Sequence, residues 1–330
     1  MVAMRRITRR SVNSASIRRL AGVVCLLLAV PACAQQVPDT TFDTRVAHPA
    51  FTTTPLRVLF DEAHHNFHTT TGRYLVFARL VRSDGGVVTP NAVAFTVATL
   101  AHHDLLVIAN ALGSENMADS SARRPAFTAE ECQAVKEWVS AGGALLLIAD
   151  HAPMGDAARA LAERFGVDMR AAYTIDPEQA APESPTLIAF VAGHGLAVTH
   201  PIMTGRDSSE IVRKVVAFTG QSLSGPPGAV SLLTLSPHAE DLLTGYGPTR
   251  LANVPAENRR AAGGRSMGLA FDFGKGRVVV LGEAAMLSAQ RAGPLGKPMG
   301  MNAPGSDDRQ FALNVVRWLG GALGATTVAR

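Results

Sequence analysis

Three apolar runs without alternation, LRVLF at 56–60, DLLVIA at 104–109 and ALLLIA at 144–149, constrain this chain more than any other feature. A strand with one wet face alternates polar and apolar side chains, whereas a strand covered on both faces does not. Helical patterns stand between the runs. Tyr74, Phe77, Ala78 and Val81 recur at helical spacing after Gly72. In TAEECQAVKEWVSAGG, Thr128 and Glu131 have the spacing of a capping box, while Cys132, Val135 and Val139 form an apolar stripe. Gly142-Gly143 then ends the helix. Strand–helix alternation to about residue 166 predicts a doubly wound, mostly parallel α/β sheet with helices on both faces.

The second half is less regular. PTLIAFVAG and RKVVAFTG contain strands, and residues 236–265 read as an irregular insert. SMGLAFDF alternates and turns through Gly274-Lys275-Gly276 into RVVVLG, which predicts a late antiparallel hairpin. Phe311, Val315, Trp318 and Leu319 mark a closing amphipathic helix, so the domain is expected over 56–320, with 321–330 as a tail. Residues 35–55, polar and threonine-rich, read as a flexible leader. No internal repeat or coiled-coil heptad occurs, and nothing in the sequence specifies an oligomeric state.

The first 34 residues are of another kind. Six arginines and no acid precede LAGVVCLLLAVPA, and Ala32-Cys33-Ala34 offers a cleavage site before Gln35, the pattern of a secretory signal peptide. The expectation is an exported protein, periplasmic or extracellular, with no transmembrane span after cleavage; VPAC also loosely resembles a lipidation site, which would anchor it through Cys33. Taking the six arginines from the 31 basic residues leaves 25 against 27 acids. The basic character therefore lies largely in the leader, and no basic block interleaved with aromatics speaks for nucleic acid. Cys132 is then the one remaining cysteine, so no intramolecular disulfide can form and the fold must stand on its core.

In parallel sheets, ligands bind beyond the carboxyl ends of the strands. LRVLF is followed there by Asp61, Glu62, His64, His65, Asn66 and His68; DLLVIA by Asn110, Ser114, Glu115 and Asn116; ALLLIA by Asp150 and His151; RVVVLG by Glu283. Asp61, His64 and His65, with Asp150 and His151 near them, offer three ligands for a divalent metal such as zinc. Asp150, His151 and Glu283 would then be catalytic, with Glu283 or another acid as general base toward a metal-bound water. The competing reading has these histidines bonding to loop main chain, since neither HExxH nor paired CxxC occurs. Asn66, Asn116, His200 and Gln290 are candidate ligand-binding residues for a small molecule or glycan. The helix GDAARALAERFG points its N-terminus at the same edge and favours an anion there, although Asp150 or Asp156 can satisfy that end.

The order of elements resembles the class I glutamine amidotransferase-like superfamily, a flavodoxin-like α/β fold. FDEAHHN, GGALLLIADHAP, THPIMTGR and GRVVVLGEAAMLSAQ are similar to segments of a secreted bacterial family of unknown function within it, over roughly residues 56–320. In catalytic members the corner after the fourth strand holds a cysteine nucleophile that a later His–Glu pair activates. Here Asp150-His151 stand at that corner, so the resemblance implies the fold without glutamine hydrolysis. Two functions follow as expectations. One is an exported hydrolase-like enzyme, metal-assisted, acting on a carbohydrate or envelope-derived substrate. The other is a non-catalytic domain that binds a ligand or partner in the strand-end crevice.

Overall fold

The computed structural model describes residues 36–182, 184–243 and 253–324, all within one compact unit. The signal-peptide reading, Cys33, the end of the tail and part of the expected insert lie outside the described residues. The apolar runs form the centre of a seven-stranded sheet. Its strands are β1 (Leu56–Asp61), β2 (Gly86–Asn91), β3 (Leu105–Ala109), β4 (Ala144–Ile148), β5 (Val230–Ser231), β6 (Gly268–Phe273) and β7 (Gly276–Leu281). They lie in the order β5-β6-β7-β4-β3-β1-β2. Strands β2, β1, β3, β4 and β7 are mutually parallel, which is the flavodoxin-like order, and β6 turns back antiparallel on β7 as the expected hairpin.

Each central strand is covered on both sides. Val58, Phe60, Val107, Leu146 and Val279 pack with α1 (Leu75–Ser83) and a C-terminal helix; Leu59, Leu106, Ile108, Leu147 and Val280 pack on the other face. The helices of that second face are α3 (Ala129–Ser140) and α4 (Met154–Glu163), with the short α2 (Val97–Leu100) beside α3. The C-terminal helix, α6 (Asp308–Leu319), follows a short α5 (Pro201–Thr204). Each buried Leu, Ile or Val contributes about 1.5–3 kcal/mol relative to an exposed one, so these strands are the core's main source of stability. The Thr128–Glu131 capping box forms, and Cys132 is buried packing. A buried Arg317 fork ties α6 to Asp84 after α1, with both bonds at 2.8 Å.

Two expectations about irregular segments are corrected. Residues 36–55 are not a loose leader: Gln36–Pro38 pairs antiparallel with Ala289–Ala292, and Phe51 is buried in the core. The segment lacked a period because it contributes a three-residue edge strand and isolated contacts. The described parts of 236–265 are also ordered, since Glu240–Leu242 pairs with both Arg259–Ala261 and Tyr173–Ile175. PTLIAFVAG and RKVVAFTG form an antiparallel pair, Ser184–Val191 with Lys214–Ala217.

Candidate functional site: the strand-end corner and its cleft

The flavodoxin-like order reverses between β1 and β3, where a ligand crevice normally opens. Here the loops that follow the two strands are stitched together. Phe67 N–H donates to Asn110 O (2.9 Å) and Leu112 N–H to His64 O (2.9 Å). Asn110 takes a left-handed conformation (φ 52°), which asparagine tolerates better than most residues.

Below this closure His64 is enclosed. Its Nδ1 lies 2.8 Å from Asp61 Oδ1 and its Nε2 2.8 Å from Glu131 Oε1, while Phe95 and Phe127 flank the ring at 4.8 and 4.7 Å. Burial alone would lower the His64 pKa, but Asp61 and Glu131 outweigh it and raise it. Glu131 also accepts the Thr128 and Phe95 N–H groups; burial would raise its pKa, and these bonds with His64 lower it.

This arrangement corrects the metal reading. Both ring nitrogens of His64 are taken by carboxylates, and Asp61 further accepts the Asn66 amide at 2.9 Å. His65 is exposed on a left-handed turn (φ 48°). Among the described residues, no group of three or more His, Cys, Asp or Glu side chains converges as ligands would.

The corner after β4 has a different character. Asp150 accepts Ala284 N–H (2.6 Å) and the Asn110 amide (2.7 Å), and its own N–H donates to Asn110 Oδ1. Glu283, almost fully buried, accepts the next two amides, Ala285 and Met286, at 2.8 Å each. Three successive N–H groups after β7 therefore meet two acids. Burial pushes the Asp150 pKa up to about 7 against the lowering effect of its hydrogen bonds. Burial, then the nearby Asp150 charge, raises Glu283 well above the usual carboxylate range. Tyr74 closes the group from α1's N-terminal end by donating its hydroxyl to Ala284 O (2.6 Å). Buried His68 stacks on Tyr74 at 4.8 Å, and desolvation lowers its pKa to about 3.

His151 stacks on Tyr173 (3.9 Å, 19°), and its Nδ1 lies 2.7 Å from Ala152 O. A carbonyl only accepts, so Nδ1 carries the proton and Nε2 presents a lone pair. No described group bonds to that Nε2, and burial lowers the His151 pKa to about 4, so the ring is neutral. The corner is shaped from behind by Gln221. Its Nε2 donates to Ala149 O and Asp150 O, and its Oε1 accepts Ala171 N–H at a residue with φ 52°. A Cβ at Gly155 would press on the Gln221 amide, which accounts for the glycine in PMGDAAR.

Beside this corner a cleft of about 600 Å³ opens between the loop after β3 and the first turn of α4. Arg123, Asp156, Arg159 and Arg170 line it over an apolar wall that includes Met117, Pro153, Ala171 and Leu243. A second cleft, about 800 Å³, lies at the amino ends of β1, β4 and β7, away from every candidate residue.

The structure thus gathers Asp150 and the buried Glu283 around the amides of 284–286, with His151 next to Asp150 in the chain, and leaves the other candidates apart. Asn66 is spent on Asp61 and His64, and Asn116 accepts Ala118 N–H in an exposed loop. His200 caps α5 through Ile202 N–H and packs against Trp318. Gln290 is buried and donates to Ser288 Oγ. Sequence reasoning missed Gln221, Tyr173 and the three arginines of the cleft. Their signal is absent locally because they come from segments far apart in the chain.

No family model and no curated protein matches the chain. Among solved structures it is similar to the mmIFT52 N-terminal domain at 16% identity, covering 80% of this chain and 97% of that one with a TM-score of 0.55. It is also similar to a ThuA-like protein from Parabacteroides merdae at 13% identity (83% and 93% covered, TM-score 0.44). A third is a protein assigned as a GMP synthase component from Thermoplasma acidophilum, at 12% identity (81% and 94% covered, TM-score 0.36). The likeness to the first is one of fold alone, and the other two fall below the level at which two folds count as the same. The class defined here is a flavodoxin-like α/β domain whose fourth-strand corner holds Asp150-His151 and no cysteine or serine.

Proposed function

We propose that this protein is an exported domain on an amidotransferase-like scaffold that binds a small hydroxylated molecule or glycan at the corner after β4. The observation that carries the reading is the division of labour at that corner. Asp150 and Glu283 hold main-chain N–H groups in place, while His151, neutral and fixed in one tautomer, has no hydrogen bond from Nε2 to any described group, two residues before Pro153 at the wall of the cleft. Such an acceptor suits a ligand hydroxyl and needs no covalent chemistry. Export is supported by the arginines, apolar run and Ala-Cys-Ala site at the N-terminus. Among the described residues no helix is long and apolar enough to cross a membrane.

A hydrolase reading has one observation in its favour. A half-buried Asp150 with a pKa of about 7 can both give and take a proton at neutral pH. Titration of the protein with a neutral disaccharide, followed by NMR of the His151 ring, separates the two. Binding predicts a saturable shift of the ring with the sugar intact, and line broadening of the sugar's own signals that is lost in His151→Ala. Cleavage of the sugar would replace the binding reading with the hydrolytic one, and no shift up to about 10 mM would end both for neutral glycans.

A further inference from the structure

The cleft beside the corner has more guanidinium donors than acceptors to meet them. Arg159 Nη2 donates to Asp156 Oδ1 at 2.8 Å, and Arg123 Nη1 stands 3.4 Å from the other oxygen of the same carboxylate. Two guanidinium groups thus share one acid, and among the described residues neither the buried Arg159 Nε nor Asp156 Oδ2 has a hydrogen-bond partner. Arg170 also lines the cleft; its Nη1 donates to Asp241 Oδ2 (3.0 Å) and Ala261 O (2.7 Å), and Asp241 further accepts the hydroxyls of Thr174 and Ser222. Among the described residues Asp119 is the one further acid lining the cleft, and it is exposed. The first turn of α4 borders the same space through Pro153 and Asp156, and Pro153 supplies no side-chain cap to that ten-residue helix. Planar guanidinium groups match the two oxygens of a carboxylate or phosphate, and a helix N-terminus adds to the same preference. The apolar wall of Met117, Pro153 and Leu243 gives the carbon skeleton of a ligand somewhere to rest.

We propose that the cleft takes a hydroxylated acid, of the sugar-acid or polyol-phosphate kind, with its oxyanion met by Arg123, Arg159 and Arg170 and its carbon skeleton laid on the apolar wall toward Pro153 and Ala171. This inference rests on the binding reading above and names the ligand class for it. Isothermal titration of the protein with D-glucuronate, glycerol phosphate and D-glucose tests it, the first two probes separating a carboxylate source from a phosphate source. The expected result is that at least one acid binds about tenfold or more tightly than glucose, a difference of about 1.4 kcal/mol. That binding weakens with added salt and falls about tenfold in an Arg123→Gln/Arg159→Gln variant whose melting temperature is preserved. Glucose binding as tightly as both acids would overturn the inference while leaving the corner as a binding site. Acid binding that the double variant leaves intact would also overturn it by placing the anion elsewhere. No binding by any probe would overturn it too, and the disaccharide titration then decides the binding reading by itself. If the double variant fails to fold, Arg170→Gln and the salt dependence of the unaltered protein carry the same test.

Discussion

The most exposed consequence of the corner is a stability that falls as pH rises through neutrality. Asp150 has a pKa of about 7 in the folded protein against an ordinary value of 3.8. Between those values the folded state binds close to one proton more than the unfolded state. The contribution is therefore fully present below pH 3.8 and is lost as pH rises through about 7. The slope cannot exceed about 1.4 kcal/mol per pH unit for one group, and integrated from pH 5 to 8 it is on the order of 2–3 kcal/mol. His68, His151 and His200 have lowered pKa values and oppose this trend in acid, so the unaltered protein alone does not isolate it. The measurement is urea unfolding of the protein and of Asp150→Ala, followed by fluorescence of Trp138 and Trp318 across that range. The variant also leaves Ala284 N–H and the Asn110 amide without their acceptor, at a pH-independent cost of about 1–3 kcal/mol. What matters is the pH dependence of the difference, which should shrink by about 2–3 kcal/mol from pH 5 to 8. A difference that stays level, or grows with pH, would refute the account of a half-buried acid held in its neutral form below neutral pH.

Three other outcomes follow from the same structure. His64→Leu leaves Asp61 and Glu131 buried without their shared cation and should cost about 3–5 kcal/mol in chemical denaturation; because the His64 pKa is raised, the loss is largest below about pH 6.5 and shrinks as pH climbs through the folded value. Asp84→Ala should cost up to about 3–5 kcal/mol by removing the two-bonded partner of the buried Arg317 guanidinium, which keeps only Glu210 at 2.8 Å and His48 O, read as a drop in urea midpoint with an unchanged slope. Zinc added to metal-free protein should leave the melting temperature unchanged in a thermal-shift assay, and a zinc-dependent rise abolished by His64→Leu would reinstate the metal centre.

Much of the fold was legible because it is written in local periods. The unalternating runs became β1, β3 and β4, the Thr128 capping box started α3, and the Gly274-Lys275-Gly276 turn closed the hairpin. Less of the site could be read, since strand-end position is shared by residues doing opposite work. Asp61 and Asp150 follow similar apolar runs; one faces inward to a histidine and the other reaches the loop after β7. Only tertiary structure decides between them. Residues 36–55 escaped recognition for a related reason, because pairing with 289–292 is a long-range property without a pattern of its own.

That contrast explains why the opening lies where it does. A doubly wound sheet must close its loops over the carboxyl ends of buried strands, and each closure consumes polar groups that would otherwise be free for a ligand. Between β1 and β3 the closure is complete: two main-chain bonds, the Asp61–His64–Glu131 chain and the Asn66 amide use nearly every donor and acceptor. Between β3 and β4 the closure runs through Asn110 alone, which exchanges two hydrogen bonds with Asp150, while the other Asp150 oxygen and both Glu283 oxygens are used by the amides of 284–286. Among the described residues, His151 Nε2 and Arg159 Nε are what that distribution leaves without a hydrogen bond near the cleft. A ligand site here is thus one strand removed from the topological switch point, and substitutions in FDEAHHN should disturb stability before they disturb binding. His151 and the cleft arginines should show the reverse order.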